Sequence, residues 1–261
     1  MPMKLFEIPS PVIAALHLPD FSRSRQRSLA WFEDYAVANA RVFAEAGIPW
    51  IKLQDQTPAV GAAAPETLAM MAALARLIRA EVPRLGLGII IEAHDPAAAL
   101  SVAHASGADF VRLKVFVGGA MTAGGPRYGL GSEAVAKRTV LGRDDIAILA
   151  DVHDRTARPL SDEPQSFAAN WASRTGADGL IITGSSFADT LSRIADVRRA
   201  VPERPIFIGG GVTETNVAEA LVTSDGVIVS SALMRKDADE DDLVRWDADL
   251  SKRFMDAAAP A

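Results

Sequence analysis

The sequence predicts an α/β fold consisting of a single (β/α)8 TIM barrel. Short β-branched runs alternate with longer helical stretches from one end to the other, and the runs number eight. Most are rich in Val, Ile and Leu on both faces. Such alternation builds parallel sheets through βαβ units. Eight evenly spaced units with apolar residues on both strand faces favour a closed barrel over an open doubly wound sheet. The 261 residues suit one domain over 1–261.

The expected strands are Val12–His17, Trp50–Gln54, Leu87–Ala93, Phe110–Phe116, Ile146–His153, Gly179–Thr183, Pro205–Ile208 and Gly226–Ser230. Between them, apolar residues recur at helical spacing over Leu29 to Ala46, Pro65 to Val82, Pro96 to Ala105 and Phe187 to Val201. Several helices end alike: Ala46-Gly47, Ser106-Gly107-Ala108-Asp109 and Thr175-Gly176-Ala177-Asp178 each precede a strand. Glycine after a helix supplies the left-handed residue that turns the chain back. No linker or second domain interrupts the pattern, and the alanine-rich tail 256–261 is expected to be disordered.

Composition narrows the function. With 49% apolar and 23% charged residues the chain has enough apolar surface for a sizeable core. A net charge of −6 argues against nucleic acid as a partner. Met1 to Ser10 carries Pro2, Glu7 and Pro9 instead of an apolar leader, and no later run reaches membrane-spanning length. A cytoplasmic protein without membrane insertion is expected, in a homo-oligomer as is common for such barrels. The absence of cysteine leaves Lys, Ser, Thr, Asp, Glu and His for any covalent step.

In this fold, function sits on the loops after the strands. His17, His94 and His153 end the first, third and fifth runs, whereas His104 falls inside a helix. Residues two apart share a strand face. Lys52 therefore shares a face with Gln54, Glu92 with His94, Arg112 with Lys114, and Asp151 with His153, while Ile51, Leu53, Ile91, Leu113, Val115 and Val152 point the other way. The polar row must face the barrel axis, where opposed charges tune each other's pKa values. The candidate catalytic residues are Asp151, His153, Lys114, Glu92, His94, His17 and Lys52, with Asp151 and His153 as the leading proton-transfer pair. Lys114 suits neutralisation of an enolate or, if desolvated, a Schiff base. The competing reading is a structural ion network plugging the mouth. No organic cofactor is implied. A divalent metal is compatible with the carboxylate and imidazole set, although no metal motif assigns its ligands.

Two small-residue turns mark an anion site for a small anionic or phosphorylated metabolite. Gly209-Gly210-Gly211 follows the seventh strand, ahead of a helix start at Thr213 to Asn216, and Ser230-Ser231 follows the eighth. Backbone N–H groups at these strand ends commonly bind phosphate in such barrels. The glycine-rich segment Val117 to Gly131, carrying Met121, Arg127 and Tyr128, has the length and composition of a lid.

Ala150-Asp151-Val152-His153, Arg158-Pro159-Leu160, Ile182-Thr183-Gly184, Gly211-Val212-Thr213 with Asn216-Val217, and Asp225-Gly226-Val227-Ile228-Val229 together resemble the BtpA/SgcQ family, as does His17-Leu18-Pro19. The resemblance covers nearly the whole chain. It implies a ribulose-phosphate-binding-barrel-like fold and adds Thr183 and Gly184 to Gly210, Gly211, Ser230 and Ser231 as phosphate-site residues. Cyanobacterial members are linked to photosystem I biogenesis, and others look like sugar-pathway proteins. The sequence departs from the family pattern at Gln54-Asp55, at Lys114 and Phe116, and at Gly124-Gly125. The leading expectation is an isomerase, epimerase or aldolase-like lyase acting by proton transfer on a sugar-phosphate-like substrate. A metal-assisted hydrolase and a non-catalytic biogenesis factor are the alternatives.

Overall fold

A computed structural model of the chain describes residues 5–7, 11–22, 27–57, 59 and 61–259. The remainder of the opening segment and residues 260–261 lie outside the described residues, as does the expectation about a leader that rests on them. In chain order the first elements are β1 (Val12–His17), α1 (Leu29–Glu45), β2 (Trp50–Gln54), α2 (Pro65–Glu81), β3 (Gly86–Ile90), α3 (Ala98–Ser106) and β4 (Phe110–Leu113). A hairpin of β5 (Gly119–Thr122) and β6 (Gly125–Tyr128) follows, then α4 (Gly131–Val140), β7 (Ala147–Asp151), β8 (Arg158–Pro159) and α5 (Gln165–Thr175). The chain continues through β9 (Gly179–Ile182), α6 (Phe187–Ala200), β10 (Ile206–Ile208), α7 (Val217–Thr223), β11 (Gly226–Val229) and α8 (Ala248–Ala258).

Eight parallel strands close in the order β1-β2-β3-β4-β7-β9-β10-β11 and back to β1, the expected barrel. Its interior is divided by height. Towards the amino-terminal end, Ile13, Ala15, Trp50, Phe110, Leu149, Ile181, Phe207 and Ile228 form an apolar plug separate from the larger helix–strand core. The ring of Trp50 needs a missing side chain opposite: a Cβ on Gly86 would stand 1.9 Å from it. Gly88 likewise yields to Phe110, whose ring would lie 2.1 Å from a Cβ. Aromatic rings on some strands thus fill space left by glycines on their neighbours.

The amino-terminal rim is held by a repeated ion-pair clamp. Asp109, Asp178 and Asp225 each precede a strand and accept the N–H of the residue opening or nearly opening the neighbouring strand, Leu87, Ile148 and Ile206, at 2.8–2.9 Å. The same carboxylates take Arg79, Arg138 and Arg198 from the preceding even-numbered helices at 2.5–2.6 Å. The expected glycine stops hold, since Gly47, Gly107 and Gly176 all have positive φ.

Strand ends are where expectation and structure differ. β3, β4 and β7 stop at Ile90, Leu113 and Asp151, each short of the expected end. His153 leaves extended geometry altogether at φ 57°, the left-handed region that a side chain with a Cβ enters at a cost. The segment read as a lid is the β5–β6 hairpin, extended by β8 into a three-stranded antiparallel sheet, with Gly125 at φ 102° opening β6 after the reversal. The tail expected to be disordered from Asp256 is helical through Ala258. No described helix is long and apolar enough to cross a membrane.

Candidate functional site

Above the apolar plug the interior turns polar and opens as a cavity of about 210 Å³ at the carboxyl ends of the strands. One wall carries Lys52, Gln54, Arg112 and Lys114, with His17 beside them. The paired small-residue turns, Gly209 to Gly211 and Ser230 to Ala232, line the same cavity, with Thr183 and with the exposed Arg155.

Most of the inward charges are matched. Arg112 donates from Nε and Nη2 to the two carboxylate oxygens of Asp151, both at 2.7 Å. Burial penalises the charged guanidinium, and Asp151 more than offsets that, holding its pKa above the ordinary arginine value. Lys114 donates to Glu92 Oε2 at 2.8 Å and Oε1 at 2.9 Å. Gln54 donates from Nε2 to Glu92 Oε1 at 2.5 Å and accepts from Lys52 Nζ through Oε1, also at 2.5 Å. Lys52, only 2% exposed, therefore meets a neutral amide and no carboxylate. Burial, and then the positive Arg112, push its amine well below the ordinary lysine value. His17 is half-buried, and burial followed by Lys52 pulls its imidazole down to about 3, so it is neutral.

The glycine turn presents backbone to the cavity. Among the described residues no protein acceptor takes the N–H groups of Gly210 and Gly211. Asn216 does not cap α7 as its position before the helix suggests. Its side chain reaches back instead, accepting from Thr213 N at 2.8 Å and donating to Gly211 O at 3.1 Å, which braces the glycine turn. The Arg155 guanidinium is exposed, stands beside Gly210 and has no acceptor among the described residues.

Of the residues expected at the site, the structure brings together His17, Lys52, Lys114, Thr183, Gly210, Gly211, Ser230 and Ser231 around the cavity. Glu92 supports that wall through Lys114 and Gln54. The Asp151–His153 pair is not formed, because Asp151 is occupied by Arg112 and the turn at φ 57° carries His153 to a small recess beside Val117, Ala120 and Pro159. There burial, and then Arg193, lower its pKa. His94 lies two residues past Glu92, beyond the strand, and its Nε2 meets Tyr128 O at 2.6 Å, tying it to the hairpin. Gly184 does not line the cavity. Its N–H donates to Thr190 Oγ1 at 2.9 Å, and a Cβ there would strike the start of α6. Met121, Arg127 and Tyr128 also lie away from the cavity lining, and Arg127 pins the hairpin to Ala59 O at 3.2 Å and Glu92 O at 3.4 Å. With Asp151, Glu92 and His94 engaged elsewhere, no three His, Asp or Glu side chains among the described residues form a metal-binding set.

Two residues escaped the sequence reading. Arg155 sits in the loop after a barrel strand, where the fold concentrates function, and that position was its only signal. Asp55, 1% exposed, accepts Glu92 N at 2.8 Å through one oxygen while the other has no partner among the described residues. Burial pushes its carboxyl up to about 6, against the opposing pull of the hydrogen bond from Glu92 N.

The BtpA family model matches residues 9–260. An uncharacterised protein of Pyrococcus horikoshii is 31% identical over 227 residues, covering 85% of this chain and 86% of its own length. The photosystem I biogenesis protein BtpA of Synechocystis is 34% identical over 152 residues, 57% of this chain and 53% of that protein. A solved structure described as native KDPGal aligns with a TM-score of 0.61 at 17% identity over 98% of this chain and 97% of its own. That likeness is one of fold.

Proposed function

This chain belongs to the BtpA family, and we propose that it is an enzyme of small-molecule metabolism that holds a phosphorylated or otherwise anionic carbonyl compound in the barrel mouth and acts on it by proton transfer, as an isomerase or lyase. The observation that carries this reading is one cavity lined both by the unpaired N–H groups at Gly210-Gly211 with Arg155 and by Lys52 and neutral His17. Backbone donors at the seventh and eighth barrel strands suit a phosphate. A neutral imidazole and a depressed lysine amine suit proton exchange at a carbon next to a carbonyl, with Lys114 and Arg112 supplying positive potential for a developing enolate.

A purely structural role, in keeping with the biogenesis name of the Synechocystis relative, would have the inward charges satisfy one another. Arg112 and Lys114 are so satisfied, whereas Lys52 and Arg155 face no carboxylate. The test is to follow dihydroxyacetone phosphate in D2O by proton NMR with the protein present. Enzyme-dependent loss of a carbon-bound proton signal, suppressed by inorganic phosphate, is expected. No exchange, together with no stabilisation by phosphate, would remove the reading.

A further inference from the structure

We propose that the side-chain amine of Lys52 is a covalent catalytic group, condensing with the carbonyl carbon of an anionic ketone or aldehyde to form an imine. This inference rests on the anion-binding reading above and adds to it the bond that holds the substrate. A lysine buried to 2% exposure ordinarily has a carboxylate against it, because an unpaired ammonium is expensive to bury. Here the nearby carboxylates are committed: Asp151 to Arg112 and Glu92 to Lys114, leaving Lys52 on the amide oxygen of Gln54. The arrangement favours a neutral amine, the nucleophilic form. Lys114, whose ammonium is clamped by both oxygens of Glu92, is the poorer nucleophile although it is the more exposed of the two lysines lining the cavity. The amine and the glycine and serine turns line the same cavity, so a phosphate held at the turns would leave the carbon end of a short substrate within the space that Lys52 lines.

The step balances without an outside reagent. The nitrogen lone pair forms a bond to the carbonyl carbon as the C=O π electrons pass to oxygen, and a proton lost by nitrogen is delivered to that oxygen. Loss of the hydroxyl as water, taking the second nitrogen proton, gives imine plus water. His17 is placed to relay these protons: it lies on the adjacent strand, opposite Gln54 in register, with a neutral ring at the cavity. Protonated, the imine acidifies the adjacent C–H bond, which is what an isomerase or an aldol-type lyase requires.

The experiment is reductive trapping. The protein is incubated with dihydroxyacetone phosphate, glyceraldehyde 3-phosphate or pyruvate, reduced with sodium cyanoborohydride, and read by intact mass and peptide mapping. The expected result is a single adduct on Lys52 with at least one phosphorylated probe, reduced about tenfold by inorganic phosphate or by removing the phosphate from the probe. Lys52→Met and Lys52→Arg should both lose it while keeping a cooperative unfolding transition. An adduct on Lys114, or label spread over exposed lysines, overturns the proposal. So does no adduct from any probe in protein that phosphate stabilises, an outcome that leaves the anion site standing. Absence of both adduct and phosphate stabilisation overturns the imine and the anion site together, whereas a Lys52 adduct indifferent to phosphate supports the imine and overturns the anion site.

Discussion

Arg112 on β4 and Asp151 at the end of β7 meet side-on across neighbouring strands, Nε to Oδ2 and Nη2 to Oδ1 both at 2.7 Å. This fork is the geometry that guanidinium and carboxylate favour most. It commits both Asp151 oxygens to Arg112 and leaves Lys52 beside that cation with the Gln54 amide as its acceptor.

The pair should behave as structure. Asp151→Leu would strand a buried guanidinium and is expected to lower stability by about 3–5 kcal/mol, whereas adding Arg112→Met in the double variant should restore most of it. Denaturant midpoints of the two single variants and the double variant form the cycle. A single-variant loss under about 1 kcal/mol would contradict buried pairing.

Arg155 should behave in the opposite way. It is exposed and makes no ion pair among the described residues, so Arg155→Gln is expected to leave the unfolding midpoint within about 0.5 kcal/mol. Its phosphate affinity, measured from stabilisation against phosphate concentration, should fall about tenfold, the worth of a charge-assisted hydrogen bond. An unchanged phosphate response would place the anion elsewhere.

His17 should shape the acid limb of the stability curve. Its imidazole titrates near 6.5 when unfolded and about 3 when folded. The unfolded state therefore binds more protons between those values, and stability is lost as pH falls through that window, by at most about 1.4 kcal/mol per pH unit. Asp55 works against this, because a carboxyl raised from 3.8 to about 6 gains stability as pH falls through that narrower range. Urea midpoints from pH 7 downward should show a shallower decline in His17→Gln than in wild type, and equal slopes would mean that the ring is not buried neutral.

Gly88 should tolerate no side chain while Phe110 is present. A Cβ would sit 2.1 Å from the Phe110 ring, so Gly88→Ala is expected to cost about 1–3 kcal/mol by overpacking. Combining it with Phe110→Leu should cost less than the sum of the two single changes, because the leucine makes room for the new methyl. Strict additivity in thermal unfolding would show that the two positions do not share the space.

The sequence alone determined the barrel, the height at which its polar cavity opens and most of the residues that line it. Strand periodicity, the glycine stops at Gly47, Gly107 and Gly176, and the small turns at Gly210-Gly211 and Ser230-Ser231 are local signals, written in two to four adjacent residues. The partners of the inward charges were not legible there. Whether Asp151 meets His153 or Arg112 depends on where β7 stops extending and on the register of β4 against β7, which barrel closure sets between residues 39 apart in the chain. Period-two parity fails once the backbone enters the left-handed region, as at His153, so the last residues of a strand are the ones least readable from pattern. Lys52 shows the same division: its inward direction follows from alternation along β2, but its lack of a carboxylate partner of its own comes from the pairings that Asp151 makes with Arg112 and Glu92 with Lys114.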